Sequence, residues 1–213
     1  MTKNQNPPSR KFRRRAEARP DEVLDAALEI FIARGFSAAR VEDIARAAGL
    51  SKGAVYLYFP SKVAILEALV RLGIVPLVQN VGALASSAQG NPRLALETAL
   101  RFLAVGLADP KNSAIPRLII SEAGNFPQLA SMYRREVIDH GVAALKALVA
   151  RGVEEGQFRP VEPDFAFRNV IGPLFLNMVM CQIFGFAQPD PERFAAAHID
   201  VLLNGLLDQR EVS

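Results

Sequence analysis

Residues 41–58 read Val41-Glu42-Asp43-Ile44-Ala45-Arg46-Ala47-Ala48-Gly49-Leu50-Ser51-Lys52-Gly53-Ala54-Val55-Tyr56-Leu57-Tyr58. Val41, Ile44, Ala45 and Ala48 recur at the spacing of one helical face, which predicts a two-turn helix over 41–48. Gly49 stops it, because glycine takes the left-handed backbone at no cost. Leu50 is expected as a buried turn residue. Ser51 is a good N-cap for a third helix over about 52–58. Helix, three-residue turn and short capped helix make a helix-turn-helix. Ile44, Ala45, Leu50 and Val55 point inward, and Ala45 is small where two helices must cross.

The outer face of the third helix has the chemistry of a groove reader. Val55 and Phe59 face in at i, i+4, while Lys52 and Tyr56 face out at the same spacing. Lysine pairs with phosphate or guanine, and tyrosine donates to phosphate or touches bases. Gly53 and Ala54 let the backbone come close. Leu57 has two open readings, contact with a thymine methyl or core packing.

Outward from this unit, Pro20 suits the first turn of a first helix, with Asp21 and Glu22 at the positive end of its dipole. Its stripe is Leu24, Ala27, Leu28 and Phe31, and Gly35 ends it. Residues 1–19 lack apolar periodicity. Pro7, Pro8 and Arg10-Lys11-Phe12-Arg13-Arg14-Arg15 read as a mobile basic arm, either inserted in a minor groove or solvated.

After Phe59 the pattern stays helical. A long fourth helix is expected from Ser61 to about Ala85, then a linker at 86–91 and a helix over 92–108. Asp109-Pro110-Lys111-Asn112 reads as a turn. Further helices are expected over 115–123, 127–155, 163–186 and 190–208. Half of the 213 residues are hydrophobic and strand signals are scarce, so the fold class is all-α. The domain division is a basic arm at 1–19, a helix-turn-helix domain at 20–66, and a larger helical domain at 67–213.

Charge follows that division. Residues 1–62 hold twelve Lys/Arg against seven Asp/Glu, a net +5, and the remaining 151 residues sum to −2. A basic end on a slightly acidic body points to a polyanion partner for that end alone. Cys181 is the single cysteine, which rules out an intrachain disulfide and a cysteine zinc site and fits a reducing cytoplasm. The polar, basic N-terminus is not a secretory signal. Residues 169–189 carry no charge over about a membrane-spanning length. Asn169, Gly172, Pro173, Asn177, Gln182 and Pro189 argue instead for a helix covered by its own domain and a partner subunit, with no membrane involved. His140 and His198 are too isolated for a metal site, and no cofactor is expected. No Ser/His/Asp set, phosphate-cradling loop or metal-ligand spacing supports an enzyme.

Residues 35–66 together resemble the DNA-binding domain of the TetR/AcrR family of bacterial transcriptional regulators. The matching pieces are Gly35-Phe36, Ile44-Ala45, Ala48-Gly49-Leu50-Ser51, Gly53, Tyr56, Tyr58-Phe59, Ser61-Lys62 and Leu66. The specific match covers about residues 20–70, and beyond that the likeness is architectural. The resemblance implies a three-helix DNA-binding head. It also implies a helical body that dimerises through its last two helices and often holds a small-molecule pocket. Ser51, Lys52, Tyr56 and Lys62 stand at the usual DNA contacts, and Tyr58 where many members touch a phosphate. Ala39 and Arg40 depart from the Thr or Ser common before the second helix. Arg40 can replace the phosphate contact but not the cap, a loss of about 1 kcal/mol.

The function expected is a repressor that binds a palindromic operator as a homodimer through residues 163–208 and is released by a small apolar effector. The alternative is an architectural DNA-binding protein of the same fold without an effector. Candidates for the effector site are Phe102, Phe126, Tyr133, Phe175 and Met178, which line pockets or fill ordinary cores, and Arg117 and Glu122, which orient a polar group or pair with each other. Pro173 is expected to kink its helix. Ile199, Leu202, Leu203 and Leu206 give the last helix one apolar stripe.

Overall fold

The computed structural model describes residues 10–87 and 91–206. The described residues form eleven α-helices and one π-turn, with no strand among them. The chain divides into two compact units, ending and beginning at Leu69 and Val70.

The first unit contains α1 (Arg10–Arg34), α2 (Val41–Ala47) and α3 (Lys52–Tyr58), and α4 (Lys62–Gly73) starts in it. Leu24, Ala27, Leu28 and Phe31 of α1 are all buried, as their spacing requires. Phe31 packs on Phe36, with ring centroids 5.2 Å apart and planes tilted by 59°. Full burial of a phenylalanine contributes about 1.5–3 kcal/mol, so this pair anchors a small core. Gly35 ends α1 at φ +77°.

Helix α1 starts ten residues before the expected position. Residues 10–19 are rich in Arg, Lys, Ala and Glu, which are strong helix formers, and Pro20 lies inside the helix. The expected mobile arm is therefore helical backbone from Arg10 onward. Residues 1–9 and the side chains of Arg13, Arg14 and Arg15 lie outside the described residues.

The second unit holds the end of α4, α5 (Val75–Ser87), α6 (Pro92–Ala108) and α7 (Pro110–Glu122). It continues with α8 (Pro127–Tyr133), a π-turn at Arg134–Ile138, α9 (Asp139–Glu154), α10 (Pro163–Gln182) and α11 (Pro191–Leu206). Helix α6 is central. Its Leu96, Leu100 and Leu103 join Leu145 and Leu148 of α9, Val170 and Leu174 of α10, and Ile199 and Leu203 of α11 in one core. A Cβ on Gly106 would stand 2.6 Å from Leu77 Cδ1, so glycine sets how closely α5 packs on α6.

Three expectations need correction. The fourth helix is not continuous. It breaks at Ile74, because Pro76 supplies no N–H to the preceding turn. Residues 62–83 are long and apolar enough by composition to cross a membrane, but Ile65, Leu66, Leu69, Val70, Ile74, Leu77 and Val81 form a buried helical stripe. Asp109-Pro110-Lys111-Asn112 is the start of α7 rather than a turn. The Asp109 carboxylate accepts from the Lys111 N–H at 2.8 Å and Pro110 occupies the first helical position, a combination that starts helices. The helix expected over 127–155 has its predicted ends, but a π-turn interrupts it.

Helix α10 ends at Gln182, short of 186, and remains helical through Pro173. It buries Ala166, Val170, Leu174 and Met178 at i, i+4 spacing, while Phe165, Phe175 and Leu176 are exposed. That one-sided burial is the pattern of a core helix with a second apolar face.

Candidate nucleic-acid interface

The geometry of α2 and α3 follows from two local devices. Helix α2 closes on Gly49 at φ +66°. The Gly49 N–H donates to the Arg46 carbonyl at 3.2 Å, and the Leu50 N–H to the Ala45 carbonyl at 2.8 Å. These two bonds satisfy carbonyls that the helix end would leave open, and they aim the chain back toward α3. Helix α3 begins on Ser51, whose Oγ accepts from the Ala54 N–H at 3.1 Å. Arg40 occupies the N-cap of α2 and makes no side-chain cap bond, in line with the sequence departure there.

Val41, Ile44, Ala45 and Val55 are buried, so the helix pair packs through its expected face. Leu50 and Phe59 are half-buried rather than fully enclosed. On the other side, Tyr56 is 43% exposed and Leu57 84%. Leu57 therefore belongs to the outer face, which settles its two readings against core packing. Gly53 is exposed, with nothing nearer a notional Cβ than Ser51 Oγ at 4.0 Å. Lys52 Nζ lies 5.8 Å from the Tyr56 ring centroid. Arg40 is exposed, and Ala54 and Tyr58 are half-buried.

Lys52 is paired with Glu42 across α2 and α3, at 2.5 Å. Hydrogen bonding to Glu42 raises the Lys52 pKa and, reciprocally, lowers that of Glu42. The ammonium is thus held charged on the outer face. Beside it, Arg34 and Arg46 both reach Asp43, at 2.9 and 3.4 Å.

Lys62, expected at a DNA contact, is bonded within the DNA-free protein. Its Nζ donates to the carbonyls of Phe36, Ser37 and Ala39, at 2.6, 3.1 and 3.0 Å, and sits 4.5 Å from the Phe36 ring centroid. All three ammonium protons are thereby directed at the α1–α2 loop. An ammonium needs acceptors, and a loop offers carbonyls outside any helical ladder, but no local pattern signals that groups 23 to 26 positions apart will meet.

The second unit contains an apolar cavity of about 540 Å³. Leu77, Val78 and Val81 of α5 line it, with Ile119 and Ile120 of α7 and Val137 and Ile138 of the π-turn. Of the seven expected site residues, Tyr133 and Phe175 are on its wall. Phe102 is 36% exposed and away from it. Arg117 donates to the Gln182 carbonyl at 3.5 Å. Glu122 is buried and accepts from Asn125 Nδ2 at 3.3 Å, and Phe126 is the N-cap of α8. Met178 is core, 2% exposed. The aliphatic wall was not legible, because Leu, Ile and Val read alike in a cavity and in a core.

Burial pushes the Tyr133 phenol above its usual value. Among the described residues, no group of three or more His, Cys, Asp or Glu is gathered to hold a metal. His198 Nε2 lies 2.9 Å from the Val170 carbonyl, a satisfied core histidine.

Comparison with known proteins agrees with this geometry. Residues 23–69 match the bacterial regulatory proteins of the tetR family, and residues 79–201 match the tetracyclin repressor-like C-terminal domain. An uncharacterized HTH-type transcriptional regulator of Bacillus subtilis (strain 168), YfiR, is 28% identical over 171 residues, 76% of this chain and 77% of its own. A putative TetR-family regulator from Mesorhizobium loti MAFF303099 superposes with TM-score 0.73 at 24% identity, over 91% of this chain and 99% of its own. SmeT of Stenotrophomonas maltophilia, in its complex with triclosan, superposes with TM-score 0.75 at 22% identity, over 91% of this chain and 93% of its own. With both of its units matched and the helix-turn-helix built as described, the chain belongs to the tetR family of bacterial regulatory proteins and is a DNA-binding transcriptional regulator, not an enzyme.

Proposed function

We propose that the protein is a homodimeric repressor that binds a near-palindromic operator and leaves it when a small apolar effector fills the cavity of the second unit. The observation that carries the DNA-binding part is the outer face of α3, where Lys52, Tyr56 and Leu57 project from a capped helix with Gly53 between them. Lys52 and Arg40 hold phosphates, and Ser51, Tyr56 and Tyr58 add hydrogen bonds that fix the register. Leu57 and Tyr56 reach base edges in the major groove.

The dimer reading is supported by the apolar faces of α10 and α11. Phe165 and Leu176 on α10 and Val201 on α11 are exposed large hydrophobics, and exposed apolar groups of this kind mark association surfaces. Two-fold symmetry then sets two recognition helices on successive major grooves, roughly 34–36 Å apart. The effector reading is supported by the 540 Å³ cavity, which falls in the usual size range for small-molecule sites. The SmeT–triclosan complex adds support at the level of fold. The same cavity weighs against an architectural protein without an effector.

Fluorescence anisotropy with the DNA flanking the protein's own gene, against scrambled DNA at several salt concentrations, tests this. Saturable, salt-sensitive binding at two protomers or a multiple per site is the expected result. Equal, weak binding to both DNAs, persisting after selection from random sequence, would remove the regulatory reading.

A further inference from the structure

The cavity restricts what can occupy it. Among the described residues, no Lys, Arg, His, Asp or Glu lines its wall, and of the residues that do, Tyr133 alone carries a polar side-chain group. The neighbouring charges are engaged elsewhere. Arg71 and Arg135 hold Glu136, Arg134 pairs with Asp139, Lys146 pairs with Asp164, and Arg117 donates to the Gln182 carbonyl.

A carboxylate or phosphate moved from water into such a site loses its hydration and gains at best one hydrogen bond, whereas an alcohol, ketone or phenol loses far less. Tyr133 stays protonated, because burial opposes the phenolate, so it donates or accepts one hydrogen bond without adding charge. With a water's share of liquid volume near 30 Å³, the cavity has room for roughly eighteen water volumes, a single chain or a molecule of two or three rings.

We infer that this site takes an uncharged, largely apolar molecule with one hydrogen-bonding group set at the Tyr133 hydroxyl, and discriminates against the matching anion. The inference rests on reading the cavity as the effector site.

The test uses the full chain, N-phenyl-1-naphthylamine as a fluorescent apolar probe, and decan-1-ol and decanoate as competitors at pH 7.5. Decan-1-ol is expected to displace the probe at a concentration at least tenfold below that of decanoate. Tyr133→Phe is expected to weaken decan-1-ol three- to tenfold, measured against the probe's own titration, which corrects for any general change in the cavity. Equal or better competition by decanoate overturns the inference, as does a Tyr133→Phe variant with unchanged decan-1-ol affinity, or absence of probe binding. Operator occupancy is followed in parallel to separate the two readings. Selective decan-1-ol binding that leaves DNA occupancy unchanged sinks the effector reading and keeps the site chemistry. Release of DNA by decanoate in preference to decan-1-ol keeps the effector reading and overturns the site chemistry.

Discussion

Arg71 meets both carboxylate oxygens of Glu136, Nε to Oε2 at 2.8 Å and Nη2 to Oε1 at 3.0 Å. Arg71 lies in the last turn of α4, the helix that begins at Lys62 close after the recognition helix. Glu136 lies in the π-turn, between Tyr133 and Val137 of the cavity wall. A π-turn inserts an extra residue into the helical register, which lets neighbouring residues face both the cavity and α4.

From this fork, Glu136→Gln is expected to leave effector binding within about twofold and to weaken the effector's influence on operator affinity. An ion pair of this exposure is worth at most about 1 kcal/mol, so the loss of coupling is at most about fivefold. Operator titrations with and without decan-1-ol measure it, and undiminished release by the variant would remove the fork from the coupling route. The pair also carries a pH signature. Hydrogen bonding to Arg71, with Arg135 adding to it, holds the Glu136 carboxyl below its ordinary 4.5. Its stabilisation is therefore complete above the unfolded value and lost as pH falls through the lower folded value. The melting difference between wild type and Glu136→Gln should be constant near neutral pH and close only in acid.

Lys62 shows where motif reading and folded geometry part. A phosphate contact needs a free ammonium, but this one already faces three loop carbonyls. Lys62→Met keeps the stem and removes the donors. It is expected to destabilise the DNA-free protein by about 1.5–3 kcal/mol in urea unfolding, because several carbonyls lose a charged partner. A lysine needed only for DNA would leave that stability unchanged. The salt slope of operator binding should hold steady in the variant, since no phosphate contact per protomer is removed.

The recognition unit was legible because its determinants are local. Ser51, Gly49 and the Val41–Ile44–Ala45 stripe act within a few residues of one another, and each behaves as its type dictates. Leu57 was ambiguous only because a seven-residue helix gives too few turns to define a face. The body was legible as helices but not as a site. Tyr133 and Phe175 could be named as candidates, yet Phe102 and Met178 have the same chemistry and stand on the surface and in the core. Partition between wall and core depends on how α5, α7 and the π-turn approach α10, and the π-turn leaves no periodic trace in residues 134–138. The Asp109–Pro110 start of α7 is itself a local signal, a capping aspartate followed by proline at the first helical position, which a turn shares.

Glu42 occupies Lys52 across the outer face of the helix-turn-helix. A phosphate approaching Lys52 must compete with that carboxylate and also meets its negative charge. Glu42→Gln is expected to raise affinity for both operator and scrambled DNA several-fold and to reduce their ratio, because a sequence-independent repulsion is removed. Anisotropy titrations on both DNAs at two salt concentrations check this. Weaker binding by the variant would mean that Glu42 orients Lys52 rather than restrains it.

Gly152 lies in the last turns of α9, where alanine would ordinarily improve a helix by about 1 kcal/mol. Here the sign reverses. A Cβ at this position would stand 2.1 and 2.4 Å from Cδ2 and Cε2 of Phe158, a ring that is 1% exposed. The ring cannot retreat easily, because the backbone of 156–158 is fixed by its own bonds. Gly156 at φ +72° donates to the Val153 carbonyl at 3.1 Å, and the N–H groups of Gln157 and Phe158 both reach the Gly152 carbonyl, at 2.8 and 2.9 Å. Gly152→Ala is therefore expected to cost about 1–3 kcal/mol in chemical unfolding, the usual range for overpacking. Adding Phe158→Leu to Gly152→Ala should cost less than the two single changes summed, since the smaller side chain relieves the clash. Additive costs would show that Gly152 is needed for some reason other than the Phe158 ring.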